Sequence, residues 1–447
     1  MEFKIRDDFI LRSVDHRKYD TIKRLRLLVD YNTDQLSQAV SYFLNIINKI
    51  DTSEKPIGIN YADLSFLTIA FSLAIIKSKK DYVLVVDPVL ENTDDLNLFS
   101  FFFIAGSRTI EEHYNISKLI NQCPDRRMDM DTYSIMNEVE SWQGREELTF
   151  EFGKNTKTYI LPFNTKKPFL LTTSGIMDES SIKAAMDNYI YEDDYCVLKR
   201  SFNHVGVHTL IIFPSLFKAK SIAVVDHYRT IWDMACENAT HIHISRQMIQ
   251  DKFTLPKNLR TLSTGGYHFD KDCLDYVYAQ SNIERIVDCY GTGHCPPPMA
   301  IRELTKENSF GLQPFKWVNK VFYPNISLDG QGHVKIRPSV PYPVDGLANS
   351  SAEGDLLIAD IIEHIGEDTF YLYGSKENYI RVLDTRITVK ELTEMLNKII
   401  DDIRIEFVNK DGTNVPKLIT DISNKEKLDS FVLNNKVEAD VEYTNDR

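Results

Sequence analysis

The sequence predicts an α/β protein. It has a large N-terminal domain of stacked, mostly parallel sheets with helices and a β-rich subdomain, followed by a small mobile α+β C-terminal domain. Short apolar runs alternate with helical patterns up to about residue 310, as in parallel α/β layers. Glycine, proline and alternating residues then dominate 310–350, as in β-rich segments with turns. An amphipathic stretch at 389–400 lies near strand-like runs at the end of the chain, which indicates a compact α+β unit.

The first unit of the α/β layer is a buried helix followed by a strand. Residues 62–76 are apolar at helical spacing on nearly all sides, which predicts a helix surrounded by other elements. The polar stretch KSKK ends it, and YVLVVDP (82–88) follows as a buried strand. A helix, a short loop and an apolar strand make one unit of a parallel layer.

The same unit recurs along the chain. We expect further strands at the apolar runs 167–175, 208–213, 220–226, 240–245, 260–266 and 283–291. Three of these runs end in turns that contain glycine. Because ligands bind at the carboxyl ends of strands in open α/β sheets, these turns are the first candidates for a site.

The end of the chain predicts a domain boundary near Gly374–Ser375, just after a hairpin of strands at 354–361 and 369–374. The N-terminal domain is then 1–374, with its β-rich subdomain at about 310–374, and the C-terminal domain is 375–447. Within the C-terminal domain we expect helices at 389–400 and 424–433 and strands at 403–409 and 436–443.

Composition limits the classes of function. The 447 residues are 43% hydrophobic and 26% charged, as in ordinary globular proteins. The net charge of −13 argues against general binding to nucleic acids or anionic membranes. The N-terminal stretch lacks the apolar core of a signal peptide, and the longest apolar run, 64–76, is too short to span a bilayer. We therefore expect a cytoplasmic protein without a membrane span.

Cysteines and histidines give no strong metal or nucleophile signal. None of the six cysteines belongs to a CxxC pair, so neither a disulfide framework nor a zinc site is indicated. A metal site using His241, His243 and His294 is conceivable, but THIHIS (240–245) is typical of a plain alternating strand. A Ser or Cys hydrolase is a weaker interpretation, since the chain has no GxSxG nucleophile turn.

Six segments, in this order and at these spacings, carry a resemblance to a known family. They are LLTTSGIMDESSIK (170–183), SFNHVGVHTL (201–210), STGGYHF (263–269), CYGTGH (289–294), LIADIIEHIGEDTFYLYG (357–374) and YGSKENYIRVLDTRITVKEL (373–392). The chain resembles the adenylate-forming superfamily: acyl-CoA synthetases, aryl-acid ligases, nonribosomal peptide adenylation domains and luciferases. The resemblance covers about residues 20–405. It implies that ATP with Mg²⁺ and a small carboxylic acid give an acyl-adenylate and pyrophosphate, and that the acyl group then passes to a thiol of CoA or of a carrier protein.

The first segment stands where the family has its phosphate loop. Hydroxyls and backbone N–H groups in such a loop can cradle a triphosphate. The matching residues are Thr172, Thr173, Ser174 and Gly175. Asp178 departs from the family pattern, and Lys183 stands about two residues late for the family's lysine. The alternative is a loop that caps a helix beginning near Ser180.

The second segment resembles the wall of the family's acyl pocket. Its candidate pocket residues are Phe202, Asn203, His204 and Gly206, and His204 is also a catalytic candidate. Amino-acid activators carry an Asp here, so the Asn-His pair favours an acyl or aryl acid without an α-ammonium group. The alternative is that His204 is structural.

The third and fourth segments resemble the adenine-binding turns. Gly265, Gly266 and Tyr267 would line the base, although an ordinary strand-to-helix turn explains them equally well. Tyr290 and Gly291 match the aromatic residue that stacks on adenine and its neighbour. Thr292 would contact the α-phosphate. His294 replaces the Mg²⁺-binding Glu and could bond a phosphate when protonated.

The last two segments resemble the ribose site and the hinge. Asp360 stands where the family's Asp binds both ribose hydroxyls. Ser375 replaces the hinge Arg, which leaves Lys376 as a stand-in. The family's C-terminal Gly-Lys motif is missing, and Lys417 is a catalytic candidate by its chemistry alone.

The departures keep a second function open. The base and ribose residues match the family better than the phosphate residues do, which also fits a homologue that binds a nucleotide or regulates a partner without catalysis. The sequence does not specify the acid, the thiol acceptor or the oligomeric state.

Overall fold

The computed structural model describes the greater part of the chain. The described residues are 2–20, 25–50, 57–61, 65–85, 101–105, 127–129, 132–152, 157–160, 171–198, 205–225, 229–244, 248, 252–265, 271–280, 283–292, 295–307, 313–319, 325–328, 333–337, 356–375, 379–382, 385–400, 402–410, 413–437 and 439–444.

The chain divides into two compact units. The first comprises Met1–Ser309, Trp317–Phe322 and Ser339–Gly346, and the second comprises Phe310–Lys316, Tyr323–Pro338 and Leu347–Arg447. The boundary expected at Gly374–Ser375 lies inside the second unit and stays a prediction.

The helices and strands of the described residues follow in chain order. The helices are α1 Thr33–Ile47, α2 Phe66–Ser78, α3 Thr132–Ser141, α4 Gly175–Asn188, α5 Val205–Val207, α6 Phe213–Lys218, α7 Arg229–Cys236, α8 Lys271–Gln280, α9 Val389–Leu396 and α10 Lys425–Asn434, with a π-helical turn at His208–Ile212 and a 3-10 turn at Ile422–Asn424. The strands are β1 Glu2–Lys4, β2 Ile10–Asp20, β3 Leu25–Asn32, β4 Ile57–Tyr61, β5 Tyr82–Val85, β6 Phe101–Ala105, β7 Arg127–Asp129, β8 Thr149–Glu151, β9 Lys157–Ile160, β10 Leu171–Ser174, β11 Tyr195–Leu198, β12 Ser221–Val224, β13 His241–His243, β14 Thr261–Gly265, β15 Arg285–Thr292, β16 Cys295–Leu304, β17 Phe315–Trp317, β18 Asn325–Leu328, β19 His333–Arg337, β20 Leu356–His364, β21 Thr369–Ser375, β22 Tyr379–Val382, β23 Thr385–Thr388, β24 Arg404–Lys410, β25 Thr413–Asp421 and β26 Asp440–Thr444.

The first unit contains two mostly parallel sheets. One has the order β10-β9-β5-β4-β6-β7, with the β10–β9 pair antiparallel and the other pairs parallel. The other contains β16-β15-β14-β13-β11-β12-β2-β3 in that order, parallel from β15 to β2 and antiparallel at both ends. Helices join the parallel strands, which confirms the predicted fold class.

The second unit is built from antiparallel pairs and a small α+β element. Strands β18-β19-β20-β21-β17 form one antiparallel series. Strands β24, β25 and β26 form a three-stranded sheet whose apolar residues pack with those of α9 and α10 around Leu392, Leu418 and Leu428. The β-rich character expected after residue 310 is therefore present.

Helix α2 lies in the core of the first unit. Every residue from Phe66 to Ile76 is buried. The helix begins at a capping box formed by Ser65 and Thr68, and the Phe66 ring stacks on Tyr31 with centroids 4.0 Å apart. A helix that is apolar on all sides needs such surroundings, and the sequence prediction for this stretch is confirmed.

Two stretches differ from the sequence predictions. The run 208–213 is helical rather than extended, since a short apolar run suits a buried helix turn as well as a strand. Strand β25 is not among the sequence predictions; Pro416 lies inside it, and proline in a sheet is usually confined to edge strands, strand starts or bulges. The pairing of β25 with β26 begins only at Lys417, one residue after Pro416, so the missing N–H of Pro416 removes no hydrogen bond from the β25–β26 pair.

No helix in the described part of the chain combines the length and the hydropathy needed to cross a bilayer.

Candidate functional site

The carboxyl ends of β14 and β15 bring two predicted nucleotide-binding segments side by side. The strands are parallel neighbours, and Gly265 lies opposite Cys289, one residue before Tyr290. A Cβ added at Gly265 would lie 3.1 Å from the Cys289 carbonyl oxygen and 3.4 Å from Leu210 Cδ1. The backbone therefore approaches closely because this residue is glycine. Gly266 and Tyr267 lie outside the described residues.

Tyr290 is a buried aromatic residue beside a bulge in β15. Its side chain is 6% exposed, and its ring meets the Trp317 ring edge-on with centroids 6.1 Å apart. The register with β16 shifts between Tyr290 and Thr292, so Gly291 lies at the irregularity. Bulges redirect the side chains at a strand end, which suits a strand that ends at a ligand. His294 lies outside the described residues.

A buried ion pair fixes β15 just before Tyr290. Asp288 lies opposite Arg302 on β16, and its Oδ2 accepts hydrogen bonds from Nε at 2.8 Å and Nη2 at 2.6 Å. Burial raises the pKa of Asp288, while the Arg302 charge opposes this rise. Residues two apart on a strand share a face, so this pair holds the backbone from which Tyr290 projects.

From Val205 on, the predicted acyl-pocket segment forms a continuous helical stretch with a π turn. Gly206 lies in α5 and is buried. In the π turn the Phe213 N–H donates to the His208 carbonyl, and the Tyr189 hydroxyl donates to the Leu210 carbonyl at 2.9 Å. Single π turns in helices are frequent at functional sites. Phe202, Asn203 and His204 lie outside the described residues.

The predicted phosphate loop is a strand that runs directly into a helix. Thr172, Thr173 and Ser174 end β10, and Gly175 is the first residue of α4. The alternative helix start near Ser180 is wrong, because the helix begins five residues earlier. A helix N-terminus presents unpaired N–H groups that suit an anion.

Lys183 is already ion-paired on α4. Its Nζ lies 2.9 Å from Asp187 Oδ2, and both side chains are about half exposed. Eight residues of helix place Lys183 roughly 12 Å along the axis from Gly175. The lysine's predicted phosphate contact stays a prediction.

In the second unit, Asp360, the residue predicted to bind the ribose, lies on β20. It stands opposite Ser375 across the β20–β21 pair, and Ile361 stands opposite Gly374. The register shifts directly after Ile361. The hairpin thus joins the predicted ribose residue to the predicted hinge. Lys376 lies outside the described residues.

Lys417 lies on β25 among acidic side chains. Glu406 is its neighbour on β24 and Asp440 its neighbour on β26. Its Nζ pairs with the Glu442 carboxylate, and this hydrogen bond raises the pKa of Lys417. Whether this lysine also serves a phosphate stays a prediction.

The two histidines of THIHIS lie on β13, as the strand prediction has it, but the strand is buried on both faces rather than on alternate residues. His241 Nε2 and His243 Nδ1 lie 2.8 Å and 3.0 Å from the Ser263 hydroxyl oxygen on β14. Both rings are fully buried. His294, the third histidine of that conceivable metal set, lies outside the described residues.

Sequence reasoning missed two groups that shape this region. The Tyr189 hydroxyl supports the π turn, and the Asp288–Arg302 pair supports the Tyr290 strand. Asp288 directly precedes CYGTGH, and a charge inside an apolar strand signals a buried partner. Tyr189 gives no such signal, since tyrosine at the end of a helix is common.

No protein-family model matches the chain, and no curated protein matches it in sequence. Solved structures do match over nearly its whole length. An acyl-CoA synthetase from Brucella canis has a TM-score of 0.62 at 11% identity and covers 99% of this chain and 89% of its own. An anthranilate CoA ligase in complex with anthranoyl-AMP has a TM-score of 0.61 at 11% identity and covers 94% and 89%. The O-succinylbenzoate CoA synthetase from Bacillus subtilis, in complex with AMP, has a TM-score of 0.57 at 14% identity and covers 92% and 89%. The fold is that of adenylate-forming acid–CoA ligases, as the sequence resemblance implies.

Proposed function

We propose that the protein activates a carboxylic acid with ATP, giving an acyl-adenylate and pyrophosphate, and then transfers the acyl group to a thiol. The observation that carries this proposal is the likeness of fold, over more than nine-tenths of the chain, to CoA ligases of which one holds an acyl-AMP. The geometry at the ends of β14 and β15 supports it.

In the first unit, the proposed roles concern the base and the phosphates. Gly265 allows a flat base to approach the backbone. Gly266 and Tyr267 are proposed to line the same base, and Tyr290, next to Gly291 in the sequence, supplies an aromatic face. Thr292 contacts the α-phosphate, and His294 bonds a phosphate when protonated. The end of β10 and the N-terminus of α4, Thr172 to Gly175, hold the β- and γ-phosphates through N–H and hydroxyl groups, with Lys183 as their cation.

In the second unit, the proposed roles concern the ribose and the leaving group. Ionised Asp360 accepts hydrogen bonds from both ribose hydroxyls. Lys376 stands in for the hinge arginine. Lys417 stabilises the negative charge that develops as pyrophosphate leaves.

ATP enters as its Mg²⁺ complex. The family's carboxylate ligand to this ion is replaced by His294, and nitrogen is a poor ligand for hard Mg²⁺. We therefore assign no protein ligand to the ion. The chain's own contribution to the first step is to hold the carboxylate and the α-phosphorus together and to stabilise the phosphate charge.

The acid is an acyl or aryl acid rather than an α-amino acid. Asn203 and His204 stand where amino-acid activators place the Asp that pairs with an α-ammonium group. Phe202 and Gly206 complete the proposed pocket wall, and His204 faces the acid. The thiol belongs to CoA, as in the ligases of the same fold, or to the pantetheine of a carrier protein.

A second candidate function is nucleotide binding without catalysis. The observation that favours it is that both candidate phosphate lysines of the described residues are occupied, Lys183 by Asp187 and Lys417 by Glu442. The base and ribose residues match the family's pattern better than the phosphate residues do, so AMP recognition would outlast the loss of phosphate chemistry.

An ATP–pyrophosphate exchange assay tests both functions. The purified protein is incubated with Mg-ATP, labelled pyrophosphate and single acids from a panel of aryl acids, fatty acids and amino acids, while AMP binding is measured by calorimetry. Exchange that depends on an aryl or fatty acid supports the ligase. AMP binding without any exchange supports the second function, and the absence of both contradicts the two proposals together.

A further inference from the structure

Three buried side chains of metal-ligand type meet at the amino ends of β11 and β13. Asp194 directly precedes β11, Cys196 lies within it, and His241 opens β13 opposite Cys196. One ligand atom from each lies within 4.8 Å of the others. The carboxyl ends of the same parallel sheet carry Gly265 and Tyr290, so this cluster lies at the end away from the candidate nucleotide site.

We propose that Asp194, Cys196 and His241 bind a structural zinc ion in the core of the first unit. A carboxylate oxygen, a thiolate sulfur and an imidazole nitrogen are all zinc ligands, and the sulfur excludes the hard ions Mg²⁺ and Ca²⁺. Ligand atoms around tetrahedral zinc lie roughly 3.3–3.8 Å apart, given bonds of about 2.0–2.3 Å. The Asp194 Oδ2 and His241 Nδ1 atoms, 3.7 Å apart, already meet this spacing, and no pair exceeds it by more than about 1 Å.

His241 supplies the observation that points to a ligand. Its Nδ1 is fully buried and finds no hydrogen-bond partner in the described part of the chain. Asp194 Oδ2 lies 3.7 Å away, beyond a hydrogen bond. Its Nε2 lies 2.8 Å from the Ser263 hydroxyl. With the proton on Nε2, the ring donates to Ser263 and keeps the Nδ1 lone pair for a metal, as metal-bound histidines usually do.

The Asp194 carboxylate accepts three hydrogen bonds and can still bind a metal ion. Its Oδ1 accepts from Thr240 Oγ1 at 2.8 Å and from Arg260 Nη2 at 2.7 Å. Its Oδ2 accepts from the Tyr191 N–H at 2.8 Å, and a carboxylate oxygen can accept a second interaction. The Arg260 charge opposes a dication, but the Asp193 carboxylate also pairs with Arg260, at 2.8 Å.

Cys196 completes the charge balance. Its sulfur lies in the buried strand β11, opposite His241 on β13. On metal binding the thiol proton passes to solvent, and the thiolate and the Asp194 carboxylate together neutralise Zn²⁺. A water molecule can be the fourth ligand.

Burial argues against a hydrolytic use of the same residues. Ser263, His241 and Asp194 follow one another as nucleophile, base and acid do in a hydrolase, but all three are 0% exposed. A substrate has no access to Ser263, whereas a metal ion can be enclosed while the chain folds. The arrangement therefore suits a structural ion and not a reaction.

Metal content tests the proposal directly. The full-length protein, purified in metal-free buffers, is analysed by inductively coupled plasma mass spectrometry. It is then unfolded with chelator and refolded with and without Zn²⁺, followed by thermal melts. We expect about one zinc per chain and a higher melting temperature with zinc. Cys196→Ser and His241→Gln should lose the metal, and Cys236→Ser, at a buried cysteine on α7, should keep it.

Substitution with Co²⁺ covers the case in which the variants fail to fold. Cobalt bound to Cys196 gives a thiolate charge-transfer band in the near ultraviolet. This measurement needs only the wild-type protein. The appearance of the band, with displacement by Zn²⁺, supports the site. Wild-type protein that folds without metal, shows no such band and melts at the same temperature with and without Zn²⁺ overturns it, as does full zinc content in a folded Cys196→Ser variant.

Discussion

The hydroxyl of Tyr189, at the end of α4, donates a hydrogen bond to the carbonyl oxygen of Leu210 in the π turn, over 2.9 Å. The Leu210 side chain lies next to Gly265, since a Cβ placed on Gly265 would be 3.4 Å from Leu210 Cδ1. One buried hydroxyl thus links the helix of the predicted phosphate segment to the π turn, and the Leu210 side chain of that turn lies next to the end of β14.

Tyr189→Phe should weaken both stability and acid binding. Losing the hydroxyl removes a buried hydrogen bond and should lower the free energy of unfolding by about 1–3 kcal/mol. If the π turn shapes the acid pocket, the KM for the acid should rise more than kcat falls. Urea unfolding and exchange kinetics measure the two effects. Tyr191→Phe is the control: Tyr191 is 41% exposed and its hydroxyl accepts a surface hydrogen bond from Arg285, so its loss should cost about 1 kcal/mol or less. Equal effects of the two substitutions would contradict this role for Tyr189.

Gly265→Ala should damage the junction of β14 and β15. The new methyl group meets a backbone carbonyl at 3.1 Å, which cannot rotate away. We expect a loss of about 1–3 kcal/mol in stability, as in overpacked cores, together with weaker AMP binding. Gly366→Ala is the matched control, because the added Cβ there meets the rotatable Thr369 hydroxyl. An unchanged AMP affinity in a folded Gly265→Ala protein would remove Gly265 from the nucleotide site.

Asp360→Asn should weaken nucleotide binding without unfolding the β20–β21 hairpin. Charge-assisted hydrogen bonds contribute about 1.5–3 kcal/mol, so the Kd for AMP and for Mg-ATP should rise roughly 10- to 100-fold. Calorimetry measures the affinity, and a thermal melt monitors the fold. Glu367→Gln, at an exposed residue of the same hairpin, should bind as the wild type does. If both variants bind equally, the ribose assignment fails.

High pH should reveal the burial of Tyr278. Its hydroxyl donates to the Leu304 carbonyl at 3.0 Å, and burial raises the pKa of Tyr278 to about 12. The unfolded chain ionises this group near pH 10, so its contribution is complete below about pH 10 and is lost as the pH rises to about 12. Urea unfolding should show the wild type losing stability more steeply in this window than Tyr278→Phe. Parallel curves for the two proteins would show that the hydroxyl has no such linkage.

The sequence allowed the fold class to be predicted, and the structure shows why. Helix α2 is apolar on all sides, and such a pattern has few outcomes other than a buried helix. The prediction of a strand at 208–213 is wrong, because the apolar residues of this run suit a helix as well as a strand. The π turn also depends on a hydrogen bond from Tyr189, which lies about twenty residues earlier in the sequence. The sequence does not predict strand β25, because Pro416 argues against a strand. The strand forms because β25 pairs with β24 on one side and with β26 on the other.

The position of some candidate site residues could be predicted where one segment carries its own signal. CYGTGH indicated a ligand-facing strand end, and Gly265 and Tyr290 do lie on neighbouring strand ends. The ligand cluster at the other end of the sheet could not be predicted, since Asp194, Cys196 and His241 show no metal-binding spacing. Parallel strand pairing brings His241 beside Cys196, and pairing partners are a property of the fold rather than of local sequence.

Lys417→Gln separates the two proposed functions. Glu442 holds this lysine on the surface of the three-stranded sheet, with Glu406 and Asp440 beside it. If Lys417 stabilises the leaving pyrophosphate, the variant should lose about 10²-fold or more in the rate of pyrophosphate exchange at an unchanged Kd for AMP. Glu442→Gln, which frees the ammonium group, should not slow the reaction. Lys427→Gln on the exposed side of α10 is the control for loss of a surface charge. Equal exchange rates in wild type and Lys417→Gln would make Lys417 a structural member of its sheet, and the catalytic cation would then have to come from another part of the chain.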